Sequence, residues 1–311
     1  MLILPNYQII EQIYESLNST VYRGYRNEDN QPVILKMLKQ DYPTPAELTR
    51  YKLEYEIIHE LNLAGVIKVY SIEKYQNTLV IVLEDFEGKS LKQLIDLKSD
   101  GFVIKEFLPL AIQITDSLGN IHAANIIHKD INPSNIIWEP VTEQLKIIDF
   151  GIASRLPREN PTLRNPERLE GTLAYLSPEQ TGRINRSMDY RTDLYSLGVT
   201  FYEILTGQLP FTATDAMELV HCHIAKTPVS VSEINSEIPQ IISNIVMKLL
   251  AKNAEDRYQS AFGIKTDLQE CKLQFVNNER INSFELAQHD FFGHFRIPQK
   301  LYGRENEINA L

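Results

Sequence analysis

The loop IIHKDINPSNIIW sets His128, Asp130 and Asn135 close together, with Pro133 fixing the backbone between the aspartate and the asparagine. Fourteen residues beyond Asn135, the apolar run LKIIDFG ends in Asp149, Phe150 and Gly151. A carboxylate at the end of an apolar strand, followed by glycine, suits a magnesium ligand, because a hard cation wants oxygen donors held at a rigid edge. An aspartate after a strand is by itself an ordinary turn residue; Asp130, Asn135 and Asp149 with a strand between them form a set. Lys36 is the other residue with chemistry to do. Its neighbours in PVILKML are apolar, and an unpaired ammonium among them is costly. Lys36 therefore reaches water from a sheet edge or meets a counter-charge.

These side chains need rigid carriers. PVILKML alternates around Lys36 and TLVIVLE is a continuous apolar run, so both read as sheet. Between them PAELTRYKLEYEIIHELN carries Leu48, Tyr51, Tyr55, Ile58 and Leu61 at steps of three and four after Pro45, a helical pattern. After Gly88 helical periods follow one another between Pro and Gly punctuation, in SLKQLIDL, KEFLPLAIQITDSLGNIHAA, DLYSLGVTFYEILTG, DAMELVHCHIA and PQIISNIVMKLLA. The expected fold is α+β: a strand-rich N-terminal lobe with one main helix, about residues 1–85, and a larger helical C-terminal lobe, about 88–272. Residues 273–299 read as a polar, irregular linker.

The 311 residues are 43% hydrophobic, enough for a sizeable core and two lobes. A formal charge of -10 argues against a nucleic-acid or anionic-membrane binder. Pro5 cuts the opening MLILP, so no secretory signal is expected, and no apolar run reaches the roughly 18 residues of a membrane span. Cys222 and Cys271 lie far apart, which indicates neither a disulfide framework nor a zinc site. The HCH run at 221–223 is a weak metal signal, because adjacent helical positions point different ways. These features predict a soluble, cytoplasmic protein.

HKDINPSN and DFG resemble the catalytic loop and metal-binding motif of the eukaryotic-like protein kinase family. VILK is similar to that family's Val-Ala-Ile-Lys strand, GTLAYLSPE to its substrate-docking loop and Ala-Pro-Glu motif, and DLYSLGVTFYEILTGQLPF to its central buried helix. AKNAEDRYQS resembles the segment whose arginine, here Arg257, pairs with Glu179. The motifs run in order from about residue 7 to 272. The resemblance implies a bilobal fold using ATP and Mg2+. Lys36 would contact the nucleotide's first two phosphates and pair with a glutamate on the following helix. At about 100° per residue, Glu54 falls on the inward stripe and Glu56 points away, so Glu54 is the partner. Asp130 would accept or orient the substrate hydroxyl's proton, and Asn135 and Asp149 would hold magnesium. In the hinge VLEDFEG, Leu83 is the gatekeeper and the backbones of Glu84 and Phe86 would meet adenine. His128 would pack and hydrogen-bond, Asp193 would tie down the catalytic loop, and Thr172 would bridge toward Asp130, as in members specific for Ser/Thr.

Three departures qualify the resemblance. Aligning Val21 with the valine after the glycine-rich loop puts Tyr14, Ser16 and Ser19 at the glycine positions. A non-glycine residue held left-handed costs about 1–2 kcal/mol, and one or two such positions would weaken nucleotide binding by roughly 10- to 10³-fold. The loop could instead follow a different, unstrained path. Asn132 replaces a lysine that reaches the transferred phosphate, a loss on the order of 10²–10³ in rate. Lys129 replaces the usual arginine, keeping the charge but not the fork. Ser154 and Thr162 are the candidate phosphorylation sites in the activation segment, with Glu167 and Glu170 as alternative partners for Lys129. The end, FRIPQKLYGRENEINAL, resembles the entry to the ATPase modules that follow a kinase domain in large bacterial sensor proteins, often continuing into GAF and histidine-kinase domains, so 300–311 would begin such a module. The expected function is an ATP- and magnesium-dependent kinase for protein Ser/Thr hydroxyls. The alternative is a nucleotide-binding pseudokinase that regulates a larger sensor chain.

Overall fold

Five strands, β1 (Tyr7–Glu15), β2 (Ser19–Arg26), β3 (Gln31–Leu38), β4 (Val69–Tyr75) and the continuously apolar β5 (Thr78–Glu84), form an antiparallel sheet of order β1-β2-β3-β5-β4. The computed structural model describes residues 4–16, 18–40, 42–98, 101–156, 171–183 and 188–290. Chain packing separates two units, Met1–Leu94 with Pro133–Ala153, and Ile95–Asn132 with Ser154–Leu311. In the sheet, Lys36 pairs with Val21 on one side and Ile81 on the other, and Ile34 pairs with Leu83. Period two puts these residues on one face. Val33, Leu35, Val80 and Val82 take the opposite face and form a buried cluster with Leu4 and Tyr7. Gly24 allows β1 to close on β2, since a Cβ there would lie 2.5 Å from the Gln8 carbonyl oxygen.

Helix α1 (Pro45–Leu61) joins β3 to β4. Thr44 caps it: its side chain accepts from the Glu47 N–H while the Glu47 carboxylate accepts from the Thr44 N–H, with proline at the first position. Asn62 ends the helix in the left-handed conformation, φ 34°. The stripe facing inward is Tyr51, Glu54, Ile57, Ile58 and Leu61, with Glu56 exposed.

After β5 the chain forms β6 (Lys89–Ser90), α2 (Leu91–Asp96), α3 (Ile104–Ala123) and β7 (Ile126–Ile127), then the hairpin β8 (Ile136–Glu139) and β9 (Gln144–Ile147). The hairpin belongs to the first unit because β8 pairs with β6 and β9 is stitched to the stretch before β4. Ile67 N–H donates to the Ile147 carbonyl (3.0 Å) and Ile147 N–H to that of Gly65 (2.8 Å).

The second unit is built on α3 and α4 (Arg191–Thr206), preceded by β10 (Ser154–Arg155), which pairs with β7. Every residue of α4 from Thr192 to Thr206 is buried, so it is the core of this unit. Around it lie α5 (Ala216–Ala225), α6 (Val231–Ile234), α7 (Gln240–Leu249) and α8 (Ala261–Asn278). Phe107 of α3 meets Phe201 of α4 edge to face, ring centres 5.3 Å apart. Residues 273–278, read above as linker, complete α8, and Asn282 N–H then donates back to the Gln274 side chain (2.8 Å). The segment 300–311 lies outside the described residues. Among the described residues no helix is long and apolar enough to cross a membrane.

Thr44→Ala removes the hydroxyl half of the cap on α1, leaving the backbone N–H of residue 44 on Glu47, and is expected to cost about 1 kcal/mol. Urea unfolding checks this, and an unchanged midpoint would mean that tertiary packing alone fixes the first turn.

Candidate active site

In the first unit Lys36 leaves the sheet toward α1 and the segment after β9. Its Nζ donates to Glu54 Oε1 (2.6 Å) and Asp149 Oδ1 (2.9 Å). Glu54 is 3% exposed, whereas the Asp149 side chain is 43% exposed. Burial alone would push the Lys36 ammonium down; the two carboxylates outweigh it and hold the group well above the ordinary lysine value. Burial in turn pushes Glu54 up against the pull of Lys36. Lys36 is charged, because two carboxylate oxygens lie within hydrogen-bond reach of it.

Asp149 sits at φ 63°, a left-handed conformation unusual for a side-chain-bearing residue. Its Oδ1 also accepts from the Gly151 N–H (3.2 Å), and Arg50 of α1 donates to the Gly151 carbonyl (2.7 Å). Ile148 N–H donates to the carbonyl of Asn135, which is buried. Asn135 and Asp149 thus sit in one hydrogen-bonded segment. Their amide and carboxylate oxygens are the hard donors that magnesium takes.

The turn between β1 and β2 is unstrained at its described residues, Ser16 and Asn18. None of its described residues has a positive φ. Tyr14 is exposed and pairs with Val21 in the ladder. Ser16 organises the turn: its hydroxyl accepts from the N–H of Asn18 (3.2 Å) and Ser19 (2.9 Å), and Ser16 N–H donates to the Ser19 carbonyl (2.8 Å). Serine side chains here do the conformational work that glycine would do by backbone freedom.

At the end of β5 the Glu84 carboxylate accepts from the Lys68 N–H (2.7 Å) and pairs with Lys146 (3.0 Å), whose ammonium also lies 5.8 Å from the Phe86 ring centre. Arg23 of β2 forks onto the Asp85 carboxylate (2.9 and 3.3 Å). Sequence reading missed Lys146, Arg23 and Asp85. The alternation of β2 marks Arg23 as sharing the Val21 face, but nothing local names its partner.

In the second unit the loop bearing Asp130 is held by a buried carboxylate. Asp193 Oδ2 accepts from the His128 N–H (2.9 Å) and Oδ1 from the Lys129 N–H (2.7 Å), while His122 Nε2 meets Oδ2 at 2.9 Å. Lys129 lies at φ 69° and His128 is fully buried, with its Nδ1 accepting from the Asp130 N–H (3.3 Å). Asp130 Oδ1 accepts from the Thr172 backbone N–H (2.9 Å). Thr172 reaches Asp130 through its main chain. Its hydroxyl receives instead a bond from Asn132 Nδ2 (3.4 Å), which also donates to the Asp130 carbonyl (3.1 Å). Asn132 is 2% exposed, so it acts as a neutral brace within the loop.

Glu179 and Arg257 form a buried two-bond fork (2.7 and 2.9 Å), and Thr192 donates to Glu179 Oε1 (3.0 Å). Burial pushes Glu179 up, but Arg257 outweighs it and holds the carboxyl below its usual range. Gln180 donates to the Lys129 carbonyl (2.8 Å), linking this segment to the loop of Asp130. His223 of the HCH run packs inside against Phe211 and hydrogen-bonds Tyr195 (3.0 Å), while His221 is exposed. Thr162, Glu167 and Glu170 fall outside the described residues.

Residues 7–292 match the protein kinase domain, and the chain belongs to the protein kinase family. It is 33% identical over 296 residues to a Clostridium perfringens protein named as a probable serine/threonine-protein kinase, covering 94% of this chain and 42% of that protein. It is 30% identical over 266 residues to serine/threonine-protein kinase PrkC of Bacillus subtilis, covering 85% of this chain and 40% of PrkC. Hybrid signal transduction histidine kinase G of Dictyostelium discoideum is 32% identical over 294 residues, covering 67% of this chain and 9% of that much longer protein. The chain therefore spans about two fifths of the length of its bacterial relatives and a small part of the third.

Two outcomes test the second unit. Arg257→Gln leaves the Glu179 carboxylate buried without its cation and is expected to cost about 3–5 kcal/mol of stability, read by denaturant unfolding; a loss under 1 kcal/mol would refute the supporting role. Burial, aided by the Lys252 ammonium, pushes His223 from the ordinary 6.5 down to about 4. As pH falls through that window, the unfolded chain takes up a proton that the native imidazole refuses, so stability drops by up to about 3 kcal/mol. His223→Gln should flatten that part of the stability–pH curve, and an unaltered slope would count against it.

Proposed function

We propose that this chain is an ATP- and magnesium-dependent protein kinase domain that phosphorylates Ser or Thr hydroxyls. The observation that carries the reading is Lys36, bonded at once to Glu54 and Asp149. That arrangement aims a charged ammonium beside the metal-type carboxylate, where nucleotide phosphates would be gripped. Asn135 and Asp149 would hold magnesium, which supplies charge neutralisation on the phosphates. Backbone groups of Glu84 and Phe86 would take adenine, and the β1–β2 hairpin that carries Tyr14, Ser16, Ser19 and Val21 would lie over the phosphates. Asp130, held by the Thr172 N–H and by the Asp193-anchored loop, orients the incoming hydroxyl and takes its proton. The hydroxyl oxygen then bonds to the γ-phosphorus as the bond to the ADP oxygen breaks.

Ser/Thr selectivity is supported by the names of the bacterial relatives and by the Asn132–Thr172 brace beside Asp130. A place in a longer signalling chain is supported by the relatives' greater length and by the histidine-kinase name of one of them. Both described cysteines are buried thiols, which agrees with a reducing, cytoplasmic setting.

Labelled ATP with magnesium, a protein substrate and the purified chain test the reading. Transfer should occur and fall by at least roughly 10²-fold in Asp130→Ala and in Asp149→Ala. Thermal stabilisation by Mg-ATP without transfer, across a wide range of enzyme concentration, would identify the nucleotide-binding pseudokinase that Asn132 leaves open.

A further inference from the structure

Asp290 makes contacts outside the groups described above, yet it is chained to them. Its Oδ2 accepts from the Gln259 N–H (2.5 Å) and its Oδ1 from the Ser260 hydroxyl (2.6 Å). Ser260 is the N-cap of α8, accepting from the Gly263 N–H (3.0 Å). Gly263 leaves the room: a Cβ there would lie 2.5 Å from the Asp290 side chain. The same segment is pinned again at Ala287, whose N–H donates to Asp267 Oδ2 (2.8 Å), an oxygen that also accepts from the Tyr258 hydroxyl (2.6 Å).

From Gln259 the bonds run inward through the second unit. Its side-chain oxygen accepts from Arg191 (2.9 Å), and its amide nitrogen donates to the carbonyls of Ala254 (2.9 Å) and Arg257 (2.7 Å). Arg257 donates to the Arg191 carbonyl (3.0 Å) and forks onto Glu179. Next to Glu179, Gln180 holds the Lys129 carbonyl (2.8 Å), one residue before Asp130.

We infer that Asp290 is a positioning residue for protein-substrate docking, holding Gln259 and the first turn of α8 where the Arg191–Arg257–Glu179 network supports the GTLAYLSPE segment. The inference rests on the protein-kinase reading for its substrate. It assigns the segment before residue 291 a part in the reaction, beyond capping one helix. A cap alone affects stability; a positioning contact also affects the segment at the far end of the network.

Asp290→Ala removes the carboxylate, and Gly263→Ala pushes it out from the other side. Alanine is the better helix former by roughly 1 kcal/mol, so helix propensity alone has Gly263→Ala stabilise the chain, against the 2.5 Å approach to Asp290. The positioning role predicts that both variants raise KM for the protein substrate by roughly three- to tenfold, the worth of a hydrogen bond or two. KM for ATP should stay within about twofold over the same range. Asp290→Asn, which keeps one acceptor, should fall between, and covers the case in which the alanine variant fails to fold. Amide hydrogen exchange of residues 172–182 should also accelerate in these variants, a readout that needs no phosphate transfer. Faster exchange confined to 259–263 and 287–290, or Gly263→Ala indistinguishable from the unmodified chain, would overturn the inference. If the unmodified chain transfers no phosphate, the kinase reading fails while the exchange result still decides the role of Asp290.

Discussion

An ammonium buried in a β-sheet needs a counter-charge, and the first unit is arranged to supply it. Lys36 points from an otherwise apolar strand face, so Glu54 must arrive from α1 and Asp149 from the segment after β9. Each requirement propagates. The phase of α1 must place position 54 inward, which the Thr44 cap and the Tyr51-to-Leu61 stripe determine. The β8–β9 hairpin must be stitched to the sheet unit despite its distance along the chain, which the bonds of Ile147 accomplish. Asp149 is held left-handed at this point, and a conformation of that kind persists only where its surroundings over-determine it.

The helical unit meets a different constraint with the same means. The irregular loop that carries Asp130 has no repeating backbone bonds of its own, so its N–H groups need acceptors. Asp193, projecting from a helix buried along nearly its whole length, takes those of His128 and Lys129. Glu179 is likewise a buried carboxylate, matched to the planar fork of Arg257. In both cases a carboxyl oxygen pair is buried and hydrogen-bonded, and irregular backbone acquires the fixity of regular structure.

How far these features could be read from the residues depended on periodicity. The choice of Glu54 over Glu56 follows from helical phase alone, and the sheet faces around Lys36 follow from alternation. The fork of Glu179 with Arg257, and the grip of Asp193 on the loop, were legible only through family resemblance, since their partners lie many positions away. Side chains in irregular segments carry no period, so their wiring was out of reach. Thr172 meets Asp130 through its N–H, and Asn132 braces the loop; neither follows from spacing. The pairing of Lys146 with Glu84 joins strands whose neighbours in space the chain order does not declare. Helix α8 is not among the helical periods read from the sequence, and its end reads as linker because a polar, exposed helix end looks like coil.

The serine-bound turn between β1 and β2 has an energetic consequence. Where glycines line such a turn, amide donors stand open and an arriving anion simply fills them. Here Ser16 already satisfies two such donors, so an anion arriving at this turn would have to exchange acceptors, a neutral hydroxyl giving way to a charged oxygen. Charged acceptors form the stronger bonds, which favours the trade. The displaced hydroxyl, however, would need a new partner, so any such exchange would face a competition internal to the protein.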